Sequence, residues 1–302
     1  MQMNKFFTTT WLCAIVLTAG FLTAHAQTTA TWTGPASGGE WNTDANWDTG
    51  LAPADATTNA FIGPGTNVSY NLPMVATSFG GLTNCGVLNV NTNGFNSTSI
   101  FLNRAGGGAA LFVNKGGVMN VTGNLGFCSN SVVSIGAGSS VTITGNLYIG
   151  SGLTGGSGGA TVGAFGSLTN NGGALTATST VLNPANQSIG TSCRLIINGG
   201  TNNLGAYSAQ RSPGGASAPP ALGTDGLVIS NGFVNTTSIS VGNNAHGIMY
   251  LVGGTVTNTG NLTIKNSTST RPARFLQRGG LFVTPDPSLV LMSPSGTGDT
   301  VY

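Results

Sequence analysis

Charge is what this sequence has least of. Only 5% of its 302 residues are Asp, Glu, Lys or Arg, against about a quarter in an ordinary soluble domain. The seven acids are Glu40, Asp44, Asp48, Asp55, Asp225, Asp286 and Asp299, and the 169 positions between Asp55 and Asp225 hold none. A net charge of +2 speaks against nucleic acid or an anionic membrane as partner. Glycosidic hydrolysis needs two carboxylates roughly 5 to 9.5 Å apart, and the middle of the chain supplies no such pair.

Cysteine and histidine are scarce as well. Beyond Cys13 there are Cys85, Cys128 and Cys193, at spacings that match no metal motif. One disulfide with a free thiol and three buried thiols acting as small hydrophobes both remain open. His246, in "GNNAHGIMY", is the only histidine after residue 26 and has no acid within ten positions, so it reads as a loop residue. No catalytic residue, metal ligand or cofactor is expected.

Long apolar runs are missing except at the start. Lys5 precedes an apolar run from Trp11 to Leu22, and Ala24-His25-Ala26 follows as a small-x-small cleavage pattern. Residues 1–26 therefore read as an export signal with Gln27 as the first mature residue. The run is too short to span a bilayer, so the mature chain is expected outside the cell or on its outer surface, with no membrane span.

Glycine, by contrast, is abundant at 49 residues, and so is apolar alternation. "NVTGNLGFC" from Asn120, "TITGNLYIG" from Thr142 and "TNTGNLTIK" from Thr257 repeat one phrase, the first two 22 residues apart. Period-two alternation puts Met119, Val121, Leu125 and Phe127 on one face, with Val141, Ile143, Leu147 and Ile149 as their equivalents. The Gly-Asn pair marks a corner, since both residues tolerate left-handed backbone angles. Strand, corner and strand at such a period predict an all-β fold, a parallel β-helix (β-solenoid) with irregular coils of about 22–27 residues over 66–302. Asn171-Gly172 and Asn198-Gly199 keep a hairpin-built fold open.

The low charge follows from stacking. Equivalent positions lie about 4.8 Å apart in neighbouring coils, so like charges would form repulsive columns, whereas Thr, Ser and Asn form neutral ladders. Asn258, at an otherwise apolar position, is a candidate member of one. Thr142-x-Thr144 and Thr257-x-Thr259 also fit the phrase of an ice-binding face, but Asn120-x-Thr122 breaks it.

Residues 27–65 have another texture, with Trp32, Trp41, Trp47 and four of the seven acids. The favoured reading is a cap over the open first coil. Two functional readings stand beside it. The three tryptophans, with Arg278 elsewhere, are candidate glycan contacts, and Glu40, Asp44 and Asp48 suggest a calcium site without the spacing of a calcium loop.

Trp32, Gly34, Gly39, Trp41, Asn46, Trp47, Gly50, Pro53, Ala60 and Ile62 follow a pattern that resembles the head of large secreted bacterial proteins. Those proteins carry autotransporter-associated β-strand repeats, and many end in a PEP-CTERM sorting signal. The resemblance implies a right-handed parallel β-helix that is exported, often surface-associated and commonly without a known activity. Neither a translocating β-barrel nor a sorting signal is recognised at the end of this chain. The expected function is a secreted, non-catalytic structural or adhesive β-solenoid that contacts extracellular glycans or copies of itself. The alternative is a carbohydrate-active β-helix enzyme using Asp225, Arg278 and Asp286, although the two acids are nearly three coils apart.

Overall fold

The computed structural model describes residues 27–71, 78–102, 109–128, 131–150, 166–182, 193–209, 226–242, 247–266, 273–285 and 290–294. The leader, Asp225, His246, Asp286 and Asp299 lie outside them. Twenty-two strands join into one continuous sheet, and strand pairing among the described residues is parallel throughout, apart from an isolated antiparallel bridge between Trp32 and Trp47. The chain is a parallel β-solenoid.

Each coil has three sides, and each side is a ladder whose inward residues form a column. On the first side the column runs Ala30, Ala60, Leu82, Ile100, Leu125, Leu147, Thr180, Tyr207, Ile239 and Leu262. On the second side it runs Val68, Leu88, Leu111, Val133, Leu168, Leu195, Leu227, Met249 and Phe275. On the third it runs Phe95, Met119, Val141, Leu175, Asn202, Val234, Val256 and Phe282. Nearly all of these side chains are buried, and each fully buried Leu or Ile contributes roughly 1.5–3 kcal/mol. A single coil could not bury its inward face alone; the stack supplies the core.

The columns also measure the corners. From second side to third the chain takes seven or eight residues, as from Leu88 to Phe95 and from Leu111 to Met119. From third side to first it takes five or six up to Leu262, as from Leu175 to Thr180 and from Val141 to Leu147. From first side to second it takes as few as six, Leu82 to Leu88, and as many as 21, Leu147 to Leu168. Measured on the first side, coil length therefore ranges from 18 residues, Leu82 to Ile100, to 33, Leu147 to Thr180. This corrects the expected 22–27, and the variation is concentrated at one corner.

The second-to-third corner carries Gly94, Gly116, Gly138, Gly172, Gly200, Gly232, Gly254 and Gly280, all with φ between +72° and +115°. Only glycine enters that region without steric cost. The corner inside the repeated Thr-Gly-Asn-Leu phrase works differently, which corrects the sequence reading. Gly123 and Gly145 are not left-handed; a Cβ on either would sit 2.5 Å from the carbonyl oxygen of Thr98 or Gly123 respectively in the coil beneath. Asn171-Gly172 and Asn198-Gly199 lie at the second-to-third corner and close no hairpin.

Polar residues stack as the low charge led one to expect. On the outside of the third side, Asn96, Asn120, Thr142, Thr176, Asn203, Asn235 and Thr257 share a column. Asn120 Nδ2 donates to Asn96 Oδ1 at 2.8 Å and Asn235 Nδ2 to Asn203 Oδ1 at 2.9 Å. Asparagine interrupts the threonine file that an ice-binding face would need. Inside, Asn258 is fully buried, accepts from Thr236 Oγ1 at 3.1 Å and donates to Gly260 O at 2.7 Å. Cys85, Cys128 and Cys193 are buried, and none is in a disulfide.

Residues 27–65 belong to the same stack. Thr28–Thr31 and Thr58–Ile62 are the first two rungs of the first side, and Gly39–Glu40 pairs with Asn67–Tyr70 on the second. Position 65 falls in mid-coil, with no break in the pairing on either side of it.

Candidate functional site

The three tryptophans are core residues. Trp32, Trp41 and Trp47 are 5%, 0% and 2% exposed, so their ring faces cannot stack on a sugar, and the glycan-contact reading of them is corrected. Trp47 packs edge-on against both Trp32 and Trp41, at 5.3 and 4.8 Å between centroids. Trp41 continues the cluster onto Phe79 and Phe95. Trp32 lies over Gly34 and Gly39, where an added Cβ would meet its ring at 2.7 and 2.8 Å. Trp47 Nε1 donates to Trp41 O at 2.8 Å. This is an aromatic core seated at the first coils.

The neighbouring acids pin turns. Asp48 Oδ1 accepts the Thr31 N–H at 2.7 Å, and Asp44 Oδ1 accepts the Ala52 N–H at 2.9 Å. Asp55 accepts the N–H and hydroxyl of Thr57 and the hydroxyl of Thr58. Those bonds, led by the Thr57 hydroxyl, hold its carboxyl below the ordinary 3.8. Glu40 receives Asn71 through both carboxylate oxygens. Among the described residues no three of His, Cys, Asp and Glu gather as a metal cluster would require.

Arg278 stands at the other end, exposed, with its guanidinium carbon 5.6 Å from the centroid of the Tyr250 ring. An exposed cation–π contact of that kind contributes about 0.5–1 kcal/mol. Nine rungs separate the coil of Glu40 from that of Gln277, roughly 43 Å along the stack, so the tryptophans and Arg278 do not share a site. Asp225 and Asp286, the acids of the enzyme alternative, lie outside the described residues.

A different surface emerges on the outside of the first side. The register places Thr31, Phe61, Thr83, Phe101, Gly126, Tyr148 and Val181 in one outward column. Phe61, Phe101 and Tyr148 are half-buried. They recur on every second rung, roughly 9.6 Å apart, with Thr83 and Gly126 between them. A parallel file beside it holds Thr29, Asn59, Gly81 and Ser99, and further along Asn146 and Ser179. Asn59 Oδ1 accepts the Gly81 N–H at 2.7 Å and Gln27 Nε2 at 2.9 Å. Asn146 Nδ2 donates to the Tyr148 hydroxyl at 2.9 Å, and Ser179 Oγ donates to Asn146 Oδ1 at 2.6 Å. Between the two files a depression of about 230 Å³ is lined by Thr29, Asn59, Phe61, Gly81, Thr83 and Ser99.

These rungs present flat apolar rings beside neutral donors and acceptors, a combination suited to holding an uncharged ligand and without groups for proton transfer. Sequence reading passed over them. The signal was present in "AFIG", "SIFL" and "LYIG", each an aromatic immediately before an inward aliphatic residue, but simple alternation absorbed it. Searches of protein-family models, curated proteins and solved structures found no match to this chain.

Proposed function

We propose that this chain is an exported, non-catalytic β-solenoid that serves as a structural or adhesive element at the cell surface or in the extracellular matrix. The observation that carries the reading is the outer surface of neutral columns, in which asparagine amides are hydrogen-bonded from coil to coil. Such a surface is built for stacking and for weak contact with neutral partners. The leader-like residues 1–26 and the resemblance of residues 32–62 to the heads of secreted repeat proteins support export.

Expression of the full chain with a C-terminal tag, followed by fractionation and N-terminal sequencing, tests the location. The expected product begins at Gln27 and lies outside the inner membrane. Incubation of residues 27–302 with neutral and uronic polysaccharides tests the absence of chemistry, and the expected result is retention on surfaces coated with the neutral ones and no release of products from either. Turnover that disappears in Asp225→Ala would establish the enzyme instead.

A further inference from the structure

We propose that the outer face of the first side is a binding track for an extended, uncharged, β-linked glycan, with Phe61, Phe101 and Tyr148 as stacking platforms. The proposal rests on the extracellular reading above and names the ligand class and the residues for it. Three features converge on that ligand. The rings lie on one straight column and recur every second rung, roughly 9.6 Å apart. That interval is close to the two-sugar repeat of a ribbon-like β-linked chain, whose successive units turn over and present equivalent faces at every second residue. Thr83, between Phe61 and Phe101, is small, and Gly126, between Phe101 and Tyr148, is buried and carries no side chain, so no further ring stands between the platforms.

The second feature is the hydrogen-bonding file at the edge of the rings. The Thr83 and Ser99 hydroxyls make no hydrogen bond to any described residue, whereas Asn59 Oδ1 is already held by two donors. Its amide nitrogen is left to donate outward, beside the depression that lies against Phe61. The third is the absence of charge from both files along these rungs, which suits hydroxylated sugars and disfavours uronides. At the far end Asn146, itself fixed by Ser179, orients the Tyr148 hydroxyl.

Calorimetry on residues 27–302 with a β-linked glucose hexasaccharide and a β-linked mannose hexasaccharide tests the track. At least one is expected to bind, the corresponding disaccharide at least tenfold more weakly, and a helical α-linked glucose hexasaccharide not at all. Phe101→Ala, with the fold checked by circular dichroism, is expected to weaken binding by about tenfold, the equivalent of one ring contact. Phe101→Leu, which keeps the apolar bulk and loses the ring face, is expected to weaken it similarly and guards against misfolding of the alanine variant. Phe112→Ala, on the outside of the second side, is expected to leave binding unchanged. Failure of both β-linked hexasaccharides to bind, or equal binding by Phe101→Leu and the parent, overturns the track. A parent dimer that dissociates in Phe101→Leu would overturn it too, by assigning the face to a second copy of the chain. Release of sugar products from the hexasaccharides would sink the non-catalytic reading and leave the track to be judged by affinity alone, so the two failures are distinguishable.

Discussion

Asn71 donates twice to one carboxylate: its backbone N–H to Glu40 Oε1 at 3.0 Å and its Nδ2 to Glu40 Oε2 at 2.7 Å. The same side chain accepts from Asn91 Nδ2 at 2.7 Å, and Asn91 in turn accepts from Asn114 Nδ2 at 2.6 Å. Three amides in consecutive coils thus point their donors the same way and end on a negative charge. Aligned hydrogen bonds polarise one another, and the carboxylate is the strongest acceptor available to close the line. Glu40→Ala is expected to cost about 1 kcal/mol at this exposed edge. The loss should appear as faster hydrogen exchange over residues 67–71, and Glu40→Gln, which keeps one acceptor oxygen, should lose less.

Gly65 and Gly200 separate backbone strain from stacking. Their φ values are +74° and +75°, but nothing lies within 4 Å of a Cβ placed on Gly65, whereas one on Gly200 would overlap the carbonyl oxygen of Gly173 in the preceding coil. Gly65→Ala should cost about 1–2 kcal/mol, the ordinary penalty for a left-handed L-residue. Gly200→Ala should exceed about 4 kcal/mol. Equal losses of denaturation midpoint in the two variants would show that the coils yield more easily than their packing indicates.

Tyr207 occupies an inward position between Thr180 and Ile239, and its buried hydroxyl has no hydrogen-bond partner. Removing an unsatisfied polar group stabilises, so Tyr207→Phe is expected to gain about 1 kcal/mol in urea unfolding. Burial also raises this phenol well above its ordinary 10.0. The unfolded chain ionises there first, so the contribution of the neutral phenol is complete below pH 10 and is lost as the pH rises beyond it. Alkaline unfolding should be steeper in the parent than in Tyr207→Phe.

Asp55 works in the opposite direction. Its carboxyl is held below 3.8 chiefly by the Thr57 hydroxyl, so its contribution is present above that pH and disappears as the pH falls through the lowered value. A proton-resonance titration should place its midpoint below 3.8, and Thr57→Val should move it back upward. An unchanged midpoint in Thr57→Val would show that the hydroxyl is not the cause.

The strands were legible wherever alternation was regular, because period two states a face directly. The columns of Leu125 with Leu147 and of Val141 with Met119 could be read from the text. Coil length could not, since added residues between first and second sides carry no periodic signal. The corner glycines were visible in principle: Gly94, Gly116 and Gly138 are spaced by 22 residues, but in a chain with 49 glycines they did not stand out. The tryptophans left the favoured cap and the glycan platform both open, because indole suits a core and a sugar platform equally. The neighbouring acids accept from backbone and side-chain donors around them, Glu40 and Asp48 each one residue from a buried indole.

The single variable corner has a consequence for engineering and for descent. Sequence can be added or removed between the first and second sides, from the six-residue step at Leu82–Leu88 to the 21-residue step at Leu147–Leu168, while the columns before and after remain in register. Edits there need no compensation in the core, so foreign peptides spliced at several such steps would be displayed along one edge at a pitch set by the rungs. Such a chain can diversify what it presents without redesigning what holds it up.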